Sequence, residues 1–521
     1  MEITEVGSSY ARGATYVFAG RVLSYVFNFI GSFLLARLIA LKYGSAEPLG
    51  ILFVLSFVPQ LTLLLYDFGI GYGVTNKAPR LIKEGKIEEA SEYIYSSIVF
   101  TLPLWIFYAT FTYFIGDWLA VNLYSRPEII PYIHIIAIYI IIGYVNSIAS
   151  GAPIITDKTW VFSSMLLLNS AIQGLVAPFL FIIGYDLYGV VFAYYVLAPL
   201  LSSIPGLVIF FQYFKVRKVD LAKTKSMLKF GFPLAAANYL GIPSARVYEV
   251  FMSRFASATA LGNFSIAARF SPFIDIFTYP IYSLIFPNYS KLRNGGDLKL
   301  ALNFTIKILS YFVAPVSIFL MFFPEQAIIA IFGPYYKDAW IYLLLNAIYW
   351  LTSCLGGWAI SNLIATQGYS KEVFKFTAVY VALNLALNVS LIPLFSIIGA
   401  QIATLLAGWP SYFLSLKYLK QKMNISINFR EIGKVVLISL IAILPSFILW
   451  NILARFIILA QLSFYGLFGF CILLSLVLYV IATKRFGVLK DSEIDFIKRS
   501  LRPVPLVGNF ISVILDFYKR L

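Results

Sequence analysis

Between Ala245 and Phe270 the sequence reads ARVYEVFMSRFASATALGNFSIAARF, which sets Arg246, Glu249, Arg254 and Arg269 in strongly apolar surroundings. An ionisable side chain at the centre of a membrane helix costs roughly 2.5–3.5 kcal/mol on the lenient insertion scale, so these residues need partners, water or a charged ligand. On one helix Arg246, Glu249 and Arg254 fall within an arc of about 140°, and the 1.5 Å rise puts Arg246 and Arg269 roughly 12 and 10 Å below the end of their spans. An internal ion-pair set is one reading, with Glu249 neutralising Arg246 or Arg269 while Arg254 snorkels. Three cations against one anion leave positive charge over, and a phosphate or pyrophosphate would neutralise it through bidentate guanidinium bonds. These four residues are the candidate head-group site.

Arg21 and Asp67 lie at matching depths, roughly 10 and 12 Å from the inner ends of the first two spans. They are expected to pair, with gating a second possibility. Asp275, mid-span between Pro272 and Pro280, is a candidate site for a coupling cation, Na+ or H+, pairing with a neighbour being the alternative. Arg37 is expected to anchor an outer helix end, and Lys307 to snorkel.

Other chemistries lack their parts. No GxxxxGK[ST] loop is present, so ATP hydrolysis has no phosphate cradle. His134, the single histidine, has no partner for a metal site or a triad, and no cofactor is expected. GIGYG at Gly69–Gly73 resembles a potassium filter but ends a span beside a basic loop, and DFG at Asp67–Gly69 lacks every other kinase element.

The elements that must position these residues are membrane helices. Of 521 residues, 60% are hydrophobic and 12% charged, and the mean hydropathy is +0.84. Apolar windows of about 20 residues recur along the chain without barrel-type alternation. Fourteen spans are expected, near 14–40, 48–75, 93–115, 130–154, 159–183, 187–213, 230–253, 262–287, 301–322, 339–366, 372–393, 396–416, 432–455 and 463–483. Lysine and arginine concentrate in every second loop, as at Lys77–Lys86 and Lys215–Lys229. The positive-inside rule then makes both termini cytoplasmic in a multi-pass plasma-membrane protein. The net charge of +16 reflects this topology and attraction to anionic lipid, not nucleic-acid binding. The N-terminal segment carries no signal-peptide pattern and is expected to stay on the cytoplasmic side.

LLARLIALKYGSAEPLGILFVLSFV, from Leu34, resembles FMSRFASATALGNFSIAARFS, from Phe251: Arg37 aligns with Arg254, and Leu49-Gly50 with Leu261-Gly262. The repeat implies two pseudo-symmetric six-helix lobes, 1–213 and 214–422, then two further helices in 423–484 and a cytoplasmic amphipathic tail at 485–521. The fold class is all-α. Repeated halves are common in secondary transporters, with the cargo site at the repeat interface.

The chain also resembles the oligosaccharide-lipid flippases of the multidrug/oligosaccharidyl-lipid/polysaccharide exporter superfamily. The resemblance is carried in order by LLARLIA, PLGILFVLSFV, DFGIGYGVTNKAPRL, KFGFPLAAANYL, ALGNFSIAARF, YPIYSLIFPNYSKL and LNLALNVSLIPLFSIIGAQIATLLAG, spread over most of the first 415 residues. It implies movement of a lipid-linked oligosaccharide from the cytoplasmic to the outer leaflet by a monomer embedded in membrane lipid. A cation-coupled multidrug exporter of the same superfamily is the alternative, though it would favour carboxylates over arginines in its cavity. A glycan polymerase or ligase would carry a large outer loop, and none here exceeds about 16 residues, within the range of short connections. A scramblase without energy coupling has the same sequence signature as a flippase.

Overall fold

The computed structural model describes residues 3–63, 66–239, 241–289, 294–454 and 461–489, with Leu292, Glu493, Ile494 and Val513. All its regular structure among these residues is helical. Nine helices there are long and apolar enough to cross a membrane. Two of the nine are double. Thr159–Tyr213 reverses at Gly184 (φ 103°) and Asp186 (φ 56°), and Ser370–Met423 reverses at Ser396 (φ 54°). The second, seventh and eighth expected spans are built from shorter helices.

The chain divides into two compact units, Met1–Gly262 and Asn263–Leu521. The first holds α1 (Ile3–Tyr43), α2 (Glu47–Leu55), α3 (Phe57–Thr62), α4 (Ile70–Lys83), α5 (Ile87–Trp118), α6 (Ile130–Ile155) and α7 (Thr159–Ala171). It continues through α8 (Ala177–Leu180), α9 (Asp186–Phe192), α10 (Ala198–Tyr213), α11 (Leu221–Tyr239) and α12 (Ile242–Phe255) into the start of α13 (Ala258–Ala268). Here α1 packs on α7, α6 on α5 and α10, and α11 on α4. The second unit holds α14 (Ser271–Tyr289), α15 (Gly295–Phe322), α16 (Pro324–Ile331), α17 (Trp340–Ser353), α18 (Gly357–Thr366), α19 (Ser370–Met423), α20 (Phe429–Leu453) and α21 (Gln461–Arg485). Its centre is α15, which packs on α14, α17 and α20.

Glycine lets backbones approach where apolar burial gives helices little reason to associate. A Cβ on Gly50 would lie 1.9 Å from the Ala258 carbonyl oxygen, and one on Gly262 would lie 1.9 Å from that of Ala46. Gly50 and Gly262 are the two glycines aligned by the internal repeat. Each thus meets the residue four places before the other, a reciprocal crossing of the two aligned glycines. A second crossing pairs Gly69 with Gly231, where a Cβ on Gly231 would lie 1.8 Å from the Gly69 carbonyl oxygen.

The segment joining α10 to α11 is tied to α5. Arg217 pairs with Glu88 and Lys223 with Glu92, and the Asp220 amide donates to Ser96 Oγ at 2.9 Å. Just beyond α4, Lys86 and Arg80 hydrogen-bond the Glu84 carboxylate and hold it below the usual carboxylate range. Most of the tail at 485–521 lies outside the described residues. Of its described residues, Val488, Leu489 and Ile494 are buried, and Glu493 forms an ion pair with Lys307 at 2.9 Å. Lys307 therefore does not snorkel: a carboxylate from beyond the last span meets it where it stands.

Candidate substrate-transport site

The seventh span breaks between α11 and α12. Gly241 precedes α12, and Pro243 occupies its first turn, where the missing N–H goes unnoticed and the fixed φ suits a helix start. One turn further on, Arg246 Nη1 donates to Glu249 Oε2 at 2.6 Å. Both side chains are largely buried, with 17% and 10% exposure. Arg246 Nη2 donates to Gln60 Oε1 on α3 at 3.3 Å. Arg246 Nε is buried with no hydrogen-bond partner among the described residues. The pair therefore satisfies the formal charges and leaves one buried guanidinium N–H without an acceptor among the described residues.

Arg254 does not enter that pair. It is exposed, and its Nη1 donates to the Asn122 carbonyl at 3.2 Å. The end of α12 is held by Arg126, from the connection between α5 and α6, which donates from Nε to the Ser253 carbonyl at 2.9 Å and from Nη2 to the Ala256 carbonyl. These are carbonyls in and just beyond the last helical turn, which lack intrahelical donors. Ser253 Oγ donates in turn to the Tyr124 carbonyl at 2.9 Å.

Asp67 turns its oxygens to backbone. Oδ1 accepts from the Gly69 amide at 2.9 Å and Oδ2 from the Gly71 amide at 3.3 Å. It closes the turn in which Phe68 (φ 49°) and Gly69 (φ 84°) are left-handed and from which α4 starts. The expected pair with Arg21 is not formed among the described residues; satisfying two amides at a helix start is the local alternative that Asp always has. Arg21 is half-buried on α1. Arg37 lies over the Phe33 ring, 5.0 Å from its centroid.

In the second unit the eighth span breaks at Arg269, between α13 and α14, with Pro272 in the first turn of α14. Arg269 is half-buried and lies near enough to the buried Tyr336 to act on its hydroxyl electrostatically. Asp275 is half-buried on α14 and makes no ion pair among the described residues. This unit also buries amide side chains that the sequence analysis did not single out. Asn388 Nδ2 donates to Asn384 Oδ1 at 2.9 Å, and Gln401 Nε2 donates to the Tyr342 carbonyl and to Asn346 Oδ1. Asn388 Oδ1 and Gln401 Oε1 are buried without a donor among the described residues. The available signal was two asparagines four residues apart inside an apolar run, which puts both on one helical face.

The same unit contains a cavity of about 340 Å³, walled by Phe273, Phe277, Phe312, Phe319, Phe468 and neighbouring aliphatic side chains of α14, α15 and α21. Its lining is almost entirely hydrocarbon.

Residues 34–341 match the family described as "Polysaccharide biosynthesis protein". The chain belongs to that family. The probable low-salt glycan biosynthesis flippase Agl15 of Haloferax volcanii is 21% identical over 450 residues, covering 83% of this chain and 88% of that protein. Among solved structures, the lipid II flippase MurJ in an inward closed conformation aligns with a TM-score of 0.69 at 16% identity, covering 90% of this chain and 98% of MurJ. An inward-facing multidrug resistance MATE transporter of the MOP superfamily aligns with a TM-score of 0.62 at 16% identity, covering 79% and 98%. The all-α fold expected from the apolar windows is therefore the one this family member adopts, and it is the fold of these transporters.

Proposed function

We propose that this polysaccharide biosynthesis family member flips an oligosaccharide carried on a polyprenyl phosphate or pyrophosphate from the cytoplasmic to the outer leaflet, by alternating access. The observation that carries this reading is Arg246. Its charge is balanced by Glu249, yet its Nε has no partner among the described residues, in a span broken at Gly241. A phosphate oxygen would satisfy that donor once the alternating-access cycle uncovers it, with Glu249 fixing the guanidinium. Arg269, at a second helix break, is the other proposed head-group ligand, while Arg254 serves the outer loop. The hydrocarbon-lined cavity of the second unit suits a prenyl chain. The relative Agl15 carries a flippase name in glycan biosynthesis, which supports the same class.

The protein acts in this proposal as a monomeric plasma-membrane transporter without catalytic chemistry, both termini cytoplasmic. The coupling ion is proposed to be Na+. Asn388 and Gln401 present buried carbonyl oxygens, hard donors that suit such a cation and cannot carry a proton near neutral pH. Asp275 is the site a proton would use instead, and Arg21 and Asp67 remain candidates for gating. A drug exporter of cations would want free carboxylates; Asp67 has turned an oxygen to each of two backbone amides, which leaves Asp275 as the carboxylate such an exporter would use.

The test is translocation in proteoliposomes by Arg246→Ala and Arg269→Ala. Loss of about tenfold or more, the scale of a lost charge-assisted bond, supports the head-group role. Undiminished transport by both variants in stably inserted protein ends it.

A further inference from the structure

The first unit contains a second cavity, of about 430 Å³, where α4, α5, α6 and α10 approach one another. That volume lies within the roughly 300–1,000 Å³ of small-molecule sites. Its wall is unlike that of the hydrocarbon cavity. Trp105 forms its aromatic centre, with Tyr66 edge-on at 5.7 Å and Tyr144 tilted at 5.5 Å between ring centroids. Polar groups alternate with these rings. Thr101 Oγ1 and Tyr144 Oη lie 3.3 Å apart, and Asp67 lines the cavity beside Tyr66. The Tyr66 hydroxyl and the Trp105 indole N–H have no hydrogen-bond partner among the described residues, and both side chains line the cavity. Each oxygen of Asp67 accepts one amide, and a carboxylate oxygen has a further lone pair.

A hydrocarbon chain would strip water from these groups without replacing its bonds. A cation would find a single carboxylate whose negative charge two backbone amides already stabilise. A ligand with apolar faces and many hydroxyls matches both features: ring faces cover its C–H surfaces, while the phenol, indole and carboxylate exchange hydrogen bonds with its edge. We propose that this cavity is a carbohydrate subsite that takes a pyranose ring of the translocated glycan. The subsite rests on the flippase reading for its ligand, but not for its existence.

Gly151 provides the test. It lines the cavity from α6, and a Cβ there would meet nothing within 4 Å, so a larger side chain enters the cavity without pressing on backbone. Full-length protein in nanodiscs is titrated with two probes, a polyprenyl phosphate bearing a dihexose and the same lipid phosphate without sugar. Gly151→Phe is expected to weaken the dihexose lipid by about tenfold or more and to leave the sugar-free lipid within about twofold. Equal weakening of both probes, or of neither, overturns the subsite. So does a Gly151→Phe protein that keeps the dihexose lipid and loses tetraphenylphosphonium, because the cavity then takes organic cations. If Gly151→Phe does not fold, the Tyr66→Phe and Trp105→Phe pair carries the same comparison: sugar-selective loss supports the subsite and unchanged binding overturns it. Wild-type protein that binds the dihexose lipid in a Gly151-sensitive way, yet moves neither probe in proteoliposomes, upholds the subsite and overturns the flippase reading.

Discussion

Arg246 and Glu249 were legible as a pair because three residues along one helix bring two side chains to one face whatever surrounds them. Residues that act across the fold were not. Gln60 is bonded to Arg246 from 186 positions away. Arg126 binds the carbonyls of Ser253 and Ala256, and a carbonyl, being common to all residues, leaves no mark in the sequence. Glu249→Ala is expected to leave the Arg246 charge uncompensated in a mostly buried place, costing on the order of 3–5 kcal/mol. Glu249→Gln keeps an acceptor and should cost less. Denaturation of the purified variants by chemical denaturant ranks the two, and equal stability of Glu249→Ala and wild type would remove Glu249 from this role. Arg126→Ala withdraws donors from two carbonyls at the end of α12, with an expected loss of roughly 1–3 kcal/mol. Hydrogen exchange reads it as faster exchange confined to the last turn of α12, and a uniform increase over the molecule would contradict the assignment.

Element boundaries followed hydropathy where helices are continuous and departed from it where they break. The second, seventh and eighth spans each have enough apolar residues to cross, and hydropathy sums residues without seeing backbone angles. The breaks come from local chemistry: Asp67 closing a left-handed turn at Phe68-Gly69, Gly241 ahead of Pro243, and Arg269 ahead of Pro272. The DFG triplet, without meaning as a kinase motif, is that turn. Gly69 serves twice there, since its positive φ starts α4 and its missing Cβ admits Gly231. The repeat glycines were visible as an alignment, but their meeting was not, because an alignment carries no distance. Gly231→Val is expected to force the Gly69 crossing apart and to lower stability by about 1–3 kcal/mol, the usual cost of overpacking. Gly433→Ala, where a Cβ meets nothing within 4 Å, should be neutral or stabilising by up to about 1 kcal/mol. Thermal unfolding followed by size exclusion compares them, and a Gly231→Val protein as stable as wild type would mean that the helices do not cross so closely.

For the molecule as a whole, the all-α transporter fold was readable from apolar windows, charge placement and the repeat. The family match over residues 34–341 and the likeness of the fold to MurJ agree with it. What the sequence hid was the ion pair between Lys307 on α15 and Glu493. Lys307 and Glu493 are separated by 186 positions, and both are largely buried, at 12% and 15% exposure. A double-mutant cycle with Lys307→Gln and Glu493→Gln should give a coupling between the surface and buried limits, on the order of 1–3 kcal/mol. Strict additivity would show that the tail contact contributes nothing. The proposed sodium coupling through Asn388 and Gln401, amides that do not titrate, predicts transport driven by sodium and indifferent to a proton gradient.

The central claim is that this molecule moves a lipid-linked glycan, and the most direct measurement is translocation of a polyprenyl-phosphate oligosaccharide in proteoliposomes, with and without an imposed ion gradient. The account predicts protein-dependent movement that accelerates under a sodium gradient and falls with Arg246→Ala. No movement of the glycolipid, together with export of a cationic dye by the same vesicles, would contradict it and make this chain a drug exporter.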